Sequence, residues 1–283
     1  MTDTVPAPTG TDGCRAVRPG EARAVAEVLA GDPLVACPSA EAFARTGVRP
    51  GPEGRFLTHG GPGRSLLFVG NSVLPLRGGR DDLRAFGHAV ADVAAGPLSV
   101  HGRREYVAAV WDTLGDYWDA REIRDRQVLM VDRGRASVGP AHPGVRPAAL
   151  GEFDLVLPAA AAMYREELGA DPFEVGGGVP FRRRVARALA RGRTWVWVDR
   201  GEVVFKADVS AESTRVAQLQ GIWVRPERRG TGVGTAGTAA VCAALRRRGL
   251  TPSLVVNETN VAAVRAYRRA GFTVAVAYTT VLV

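Results

Sequence analysis

Gln220-Gly-Ile-Trp-Val-Arg-Pro-Glu-Arg-Arg-Gly-Thr-Gly-Val-Gly-Thr235 is the stretch from which the rest of the chain can be read. An apolar segment reaches Val224, and Pro226 ends it because proline cannot donate to a sheet ladder. A basic, glycine-rich turn follows (Arg228, Arg229, Gly230, Gly232, Gly234), and Thr235 to Arg248, rich in Ala and Leu, reads as a helix stopped by Gly249. Strand, glycine-rich turn and helix together make an anion cradle. Glycines let backbone N–H groups approach closely, and the helix N-terminus adds its positive dipole end. The expected ligand carries a pyrophosphate or a similar anion.

A P-loop would need Gly-Lys-Ser/Thr, and the turn has no lysine. Gly232-Val-Gly234-Thr-Ala-Gly237 fits the dinucleotide fingerprint GxGxxG, with an acid, Glu258, 21 residues beyond. Against that reading, seven residues (Arg225 to Thr231) separate strand from first glycine, and only 25 residues follow Glu258.

Arg229-Gly-Thr-Gly232-Val-Gly234 resembles the (Gln/Arg)-x-x-Gly-x-(Gly/Ala) motif of the GNAT acyltransferases, including its Val-x-Pro-Glu-x-Arg-Gly approach. Downstream, Asn257-Glu-Thr-Asn260-Val-Ala-Ala263 and the run on to Tyr267, Gly271 and Phe272 resemble the second motif of the same superfamily. The resemblance implies acetyl-CoA, or another acyl-CoA, as co-substrate and an amine as acceptor, with no metal. It implies that backbone amides of Arg229, Gly230, Thr231, Gly232, Val233, Gly234 and Thr235 hold the pyrophosphate. Ile222, Trp223 and Val224 would pair with the pantetheine arm and polarise the thioester carbonyl, Asn260 would hydrogen-bond the arm, and Tyr267 would protonate the leaving thiolate. A phenol of pKa ~10 is acid enough for that step. Glu166, Glu167, Asp208 and Glu212 lie near the expected acceptor side, and none is singled out as the base. Protein or peptide amines, and a non-catalytic acyl-CoA sensor, are the alternative readings.

The remainder of the chain reads as a tandem. Gly144-Val145-Arg146-Pro147 repeats the opening Ala16-Val17-Arg18-Pro19 after 128 residues, and Asn260-Val-Ala-Ala-Val264 echoes Tyr106-Val-Ala-Ala-Val110 at an offset of 154. The expected fold is therefore α+β: two GNAT-like domains, residues 14–133 and 144–283, each a mixed, mostly antiparallel twisted sheet flanked by helices. A disordered tail is expected over 1–13 and a Gly/Pro-rich linker between the domains. In the first copy Arg77-Gly-Gly-Arg80-Asp81-Asp82 stands where the cradle should be, and two acids would repel a pyrophosphate. The first copy is read as having kept its fold and lost that ligand.

Composition narrows the rest. At 283 residues and 46% hydrophobic, the chain can bury two cores. Its charge of +8 comes from 37 basic residues, all arginine but Lys206, scattered without aromatic interleaving, which argues against nucleic acid. Three cysteines without metal spacing fit a reducing cytoplasm, and no membrane span or signal segment is visible.

Overall fold

The computed structural model describes residues 13–91, 99–134 and 141–283. The tail expected over 1–13 lies outside the described residues apart from Gly13, as does 135–140 of the expected linker. The chain forms two compact units that are not simply consecutive. Unit 1 comprises Met1–Leu129, Asn257–Thr259 and Ala275–Val283; unit 2 comprises Met130–Val256 and Asn260–Val274.

Unit 1 contains β1 (Cys14–Ala16), α1 (Ala22–Gly31), α2 (Cys37–Thr46), β2 (Arg55–His59), β3 (Leu66–Val69), β4 (Val73–Arg77), α3 (Arg80–Ala91), β5 (Ser99–Arg103), α4 (Arg104–Leu114) and most of β6 (Glu122–Asp132). Unit 2 contains β7 (Val145–Pro147), α5 (Phe153–Leu168), α6 (Val179–Ala190), β8 (Thr194–Asp199), β9 (Glu202–Glu212), β10 (Val216–Val224), α7 (Val233–Arg247), β11 (Thr251–Asn257) and α8 (Val261–Arg269). The final strand, β12 (Phe272–Leu282), pairs antiparallel with β5, Tyr278 opposite Arg103 and Leu282 opposite Ser99. The repeat-based reading counts that strand with the second copy; its paired residues belong to unit 1.

Both units are mixed, mostly antiparallel sheets flanked by helices. In each, one parallel pair interrupts the antiparallel order: β4 with β5, and β10 with β11. Parallel neighbours need a crossover, supplied here by α3 and α7. α3 turns Leu83, Phe86 and Val90 (i, i+3, i+7) onto Leu67, Val73 and Val100 of its sheet, and Phe86 is fully buried. In unit 2, Phe181, Val185 and Leu189 of α6 repeat every four residues and pack with Val156 and Ala160 of α5, Val196, Val203 and Trp223. α5 begins five residues before Pro158, so the ring sits inside the helix and forfeits one backbone bond.

Two local features shape the site. β10 is in register with β11 only from Val216–Thr251 to Leu219–Leu254, so from Gln220 onward the two strands part. β10 also shifts register against β9 between Gln220 and Trp223, a bulge centred on Gly221 at φ +57°. A side chain there would be strained, and its β-carbon would sit 2.8 Å from Met163 Sδ of α5.

Candidate functional site

The parting of β10 and β11 opens a cavity of about 560 Å³ within unit 2. Of the residues singled out from sequence, Ile222, Trp223, Val224, Arg229, Gly230, Gly232, Gly234, Thr235, Asn260 and Tyr267 line it, whereas Thr231 and Val233 do not. Val233 is buried, and the Thr231 hydroxyl donates back to the Arg228 carbonyl at 2.8 Å.

One end of the cavity is the start of α7. Its N-cap, Gly232, lies at φ +89°, and a β-carbon on it would meet nothing within 4 Å, so the backbone angle rather than crowding selects glycine. The first α-helical bond runs from the Ala236 N–H to the Gly232 carbonyl at 3.0 Å. The amides of Val233, Gly234 and Thr235 therefore precede it without intrahelical acceptors, and no side chain caps them. Open amides at a positive helix end suit an anion. The amide of Arg229 is not among them, contrary to the expected extent of the cradle, because the turn at Pro226–Arg228 uses it: it donates to the Pro226 carbonyl at 3.1 Å. Arg228, Arg229, Arg265 and Arg269 make the surrounding wall cationic.

The long wall is β10. From Gln220 to Val224 its edge toward β11 has no partner in the strand register, leaving peptide groups for an extended ligand. The Trp223 side chain points away into the core at 6% exposure, and its indole N–H donates to Glu166 Oε1 at 3.2 Å. Glu166 Oε2 in turn accepts from Arg229 at 2.6 Å, while Arg229 Nε donates to the Val224 carbonyl at 3.0 Å. One carboxylate of α5 thus ties the end of β10 to the glycine-rich turn. Sequence reasoning left Glu166 unassigned; its partners lie 57 and 63 residues away.

The opposite wall is α8. Asn260 is its N-cap and accepts the Ala263 N–H on Oδ1 at 3.1 Å, which leaves the side-chain NH₂ free to face a ligand. Tyr267, two turns on, is half-buried; burial, aided by the Glu167 carboxylate, pushes its phenol above the ordinary range. Its hydroxyl makes no hydrogen bond among the described residues, so its proton is uncommitted. Of the other candidate carboxylates, Asp208 pairs with Lys206 and accepts the Thr194 hydroxyl at 2.8 Å, and Glu212 pairs with Arg248 at 2.6 Å. Cys242 is buried on α7 and burial raises its thiol well above the usual range, as fits a core residue.

Among the described residues there is no cluster of three or more metal-ligating side chains, and no helix is long and apolar enough to cross a membrane.

Residues 160–272 match the model of the acetyltransferase (GNAT) family, and residues 54–156 match a domain of unknown function (DUF4081). Among solved structures, the fold is similar to a GNAT-family acetyltransferase from Colwellia psychrerythraea (13% identity, 95% of this chain and 98% of that one covered, TM-score 0.58). It is similar to a GCN5-related N-acetyltransferase from Sphaerobacter thermophilus (18% identity, 94% and 93% covered, TM-score 0.59). A tandem GNAT protein from the clavulanic acid biosynthesis pathway is also similar (14% identity, 95% and 98% covered, TM-score 0.52). At these identities the likeness is one of fold. Among curated proteins, none matches the chain.

Proposed function

We propose, from the GNAT acetyltransferase domain at residues 160–272, that the protein is an N-acyltransferase that moves an acyl group, acetyl foremost, from its CoA thioester to a primary amine. The observation that carries this reading is the meeting of three features in one cavity: the open amides of α7, the unpaired edge of β10 and the Tyr267 hydroxyl. Those residues fit the co-substrate. The amides of Gly234 and Thr235, both on the cavity wall, face a pyrophosphate, and the arginines around them add charge to phosphate recognition.

Acetyl-CoA supplies an activated acyl carbon: the amine nitrogen bonds to it as the carbon–sulfur bond breaks, and sulfur leaves with the electron pair. The protein's own part is placement and proton supply. The free edge of β10 orders the extended arm, and its N–H groups favour the charge that develops on the carbonyl oxygen. The Asn260 NH₂ steadies the arm from α8. Tyr267 gives its proton to the departing sulfur, the attacking nitrogen sheds one proton to solvent as the amide forms, and the phenolate is reprotonated from solvent.

A thiol-release assay with acetyl-CoA against a panel of small amines and peptide N-termini tests the reading. Turnover with any of them supports it. Tight binding without turnover across the panel points to an acyl-CoA sensor, and absence of binding defeats the proposal.

Titration calorimetry is expected to give one acetyl-CoA per chain. In unit 1 the corresponding helix start is closed by its own side chain, since Asp82 Oδ2 accepts the Gly79 N–H at 3.1 Å, in the manner of a capping box. Burial works against the charged form of Asp82, but His59, the Gly79 amide and Arg64 outweigh it and hold the carboxyl below its usual range. Two equivalent sites would overturn this assignment.

Asn260 separates two roles. Asn260→Asp keeps the cap on Ala263, so the melting temperature should hold, while the lost amide donor should weaken acetyl-CoA by about tenfold. Asn260→Ala should lose both, with about 0.5–2 kcal/mol of stability gone. Parent-like affinity in the Asp variant would leave Asn260 a cap alone.

A further inference from the structure

Unit 1 has a cleft of its own beside its parallel strand pair, and its chemistry differs. We propose that this cleft is a separate binding site for a small organic anion, a carboxylate or a phosphate ester, recognised by guanidinium side chains instead of backbone amides.

β4 and β5 are in register only at Val73 and Val100, and near their C-terminal ends lies a cavity of about 480 Å³. That volume falls within the range of small-molecule sites. Its wall carries Arg64, Arg77 and Arg103 against a single carboxylate, Asp32, with the phenol of Tyr106 beside them.

Two of the guanidiniums are already positioned. Arg103 donates to Asp32 Oδ2 from Nε at 2.8 Å and from a terminal nitrogen at 2.6 Å. Arg64 donates to Asp82 Oδ1 from Nε at 3.0 Å. Each guanidinium has five N–H donors, so each keeps several after those bonds, and a side chain pinned on one edge gives up little freedom on taking a ligand. Arg77, at the end of β4, is exposed and has no carboxylate partner among the described residues. The Tyr106 hydroxyl likewise makes no hydrogen bond among them. Asp32 offsets part of the Arg103 charge, with Glu105 3.9 Å away, and Asp82 offsets part of that of Arg64, so Arg77 carries the uncompensated charge that an anion would meet. Surface arginines facing only water are the ordinary alternative, and they do not form a saturable, stereochemically defined site.

Acetyl-CoA is a poor candidate here. The helix start that would face a pyrophosphate is occupied by the Asp82 carboxylate, and α3 begins three residues after β4 with no extended glycine-rich turn between. The cleft therefore suits a ligand whose charge is compact and met by side chains. This inference stands whether or not unit 2 is a transferase.

The test uses the full chain at low salt, titrated calorimetrically with citrate and, separately, with glycerol 3-phosphate, each with and without saturating acetyl-CoA. One saturable site for either probe is expected, unaffected by acetyl-CoA, and the preferred probe distinguishes carboxylate from phosphate ester. Arg77→Gln, an exposed and unpaired position that should not disturb folding, is expected to weaken binding by about tenfold or more. Arg183→Gln, an exposed arginine of α6 in unit 2, should leave it unchanged. The proposal falls if neither probe saturates, if acetyl-CoA displaces the probe, if Arg77→Gln binds within about twofold of the parent, well short of that loss, or if Arg183→Gln weakens binding as much.

Discussion

Gly232→Asp should abolish acetyl-CoA binding in a protein that still folds. The position sits at φ +89° with empty space where a β-carbon would project, so the substitution costs backbone strain of about 1–3 kcal/mol but no clash. Asp tolerates the left-handed region better than most residues and is a strong N-cap, which offsets part of that cost. The same property removes the ligand site. A carboxylate at the N-cap accepts from the second and third helical amides, here Gly234 and Thr235, which are donors assigned to the pyrophosphate. It also places a like charge about 4 Å from the phosphate position, on the order of 4 kcal/mol at a surface-like dielectric, or about 10³-fold in affinity. Unit 1 also has a carboxylate at its helix start, although there Asp82 sits at the third helical position and accepts the Gly79 amide. Gly232→Ala carries the strain without the charge and should bind only modestly less well. Calorimetric titration of both variants, beside their melting temperatures, decides the matter: parent-like affinity in the Asp variant removes the cofactor assignment.

Tyr267→Phe should lower the turnover number by roughly 10²–10⁴-fold, the span of general acid catalysis, with little change in acetyl-CoA affinity. Phenylalanine keeps the ring that packs 6.1 Å from Phe272, so the melting temperature should not move. The raised pKa of the phenol has a defined sign. The neutral, proton-donating form persists to higher pH than an ordinary tyrosine, so ionisation of Tyr267 should not produce a basic limb in the rate profile below about pH 10. A variant rate within about threefold of the parent, short of the catalytic range, would make Tyr267 a packing residue and leave the sulfur's proton to water.

The features legible in the sequence are those written in short range. Arg229 to Gly234 and Asn260 to Phe272 each hold their spacing within one turn and one helix, and Arg229, Gly230, Gly232, Gly234, Asn260 and Tyr267 among them line one cavity. The limits of β3 coincide with the apolar run Leu66–Val69 because that strand is buried on both faces. The Gly221 bulge was not legible, since it is a matter of register against β9 and glycine alone does not announce it. Neither was the role of Glu166, whose partners come from a strand and a turn far along the chain. α2 and β2 escape a sequence reading for local reasons. Cys37–Thr46, with Pro38 in second place, offers Phe43 as its only large apolar side chain, and β2 is only five residues long. The alternation in β12 marks a strand without naming its neighbour; a repeat-based reading counts it with the second copy, whereas its residues paired with β5 fall in unit 1.

That strand also sets a timetable. A ribosome makes the chain from β1 onward, and all of β1 to β5 is synthesised before α5 begins. Yet β12, which lies between β5 and β6 in the strand order, is made only after every strand and helix of unit 2. Strands β7 to β11 of unit 2 are all made before β12. Unit 1 must hold a gap in its sheet, with β5 lacking one neighbour, until translation has passed Leu282. The half of the protein that is made first waits longest for its last strand.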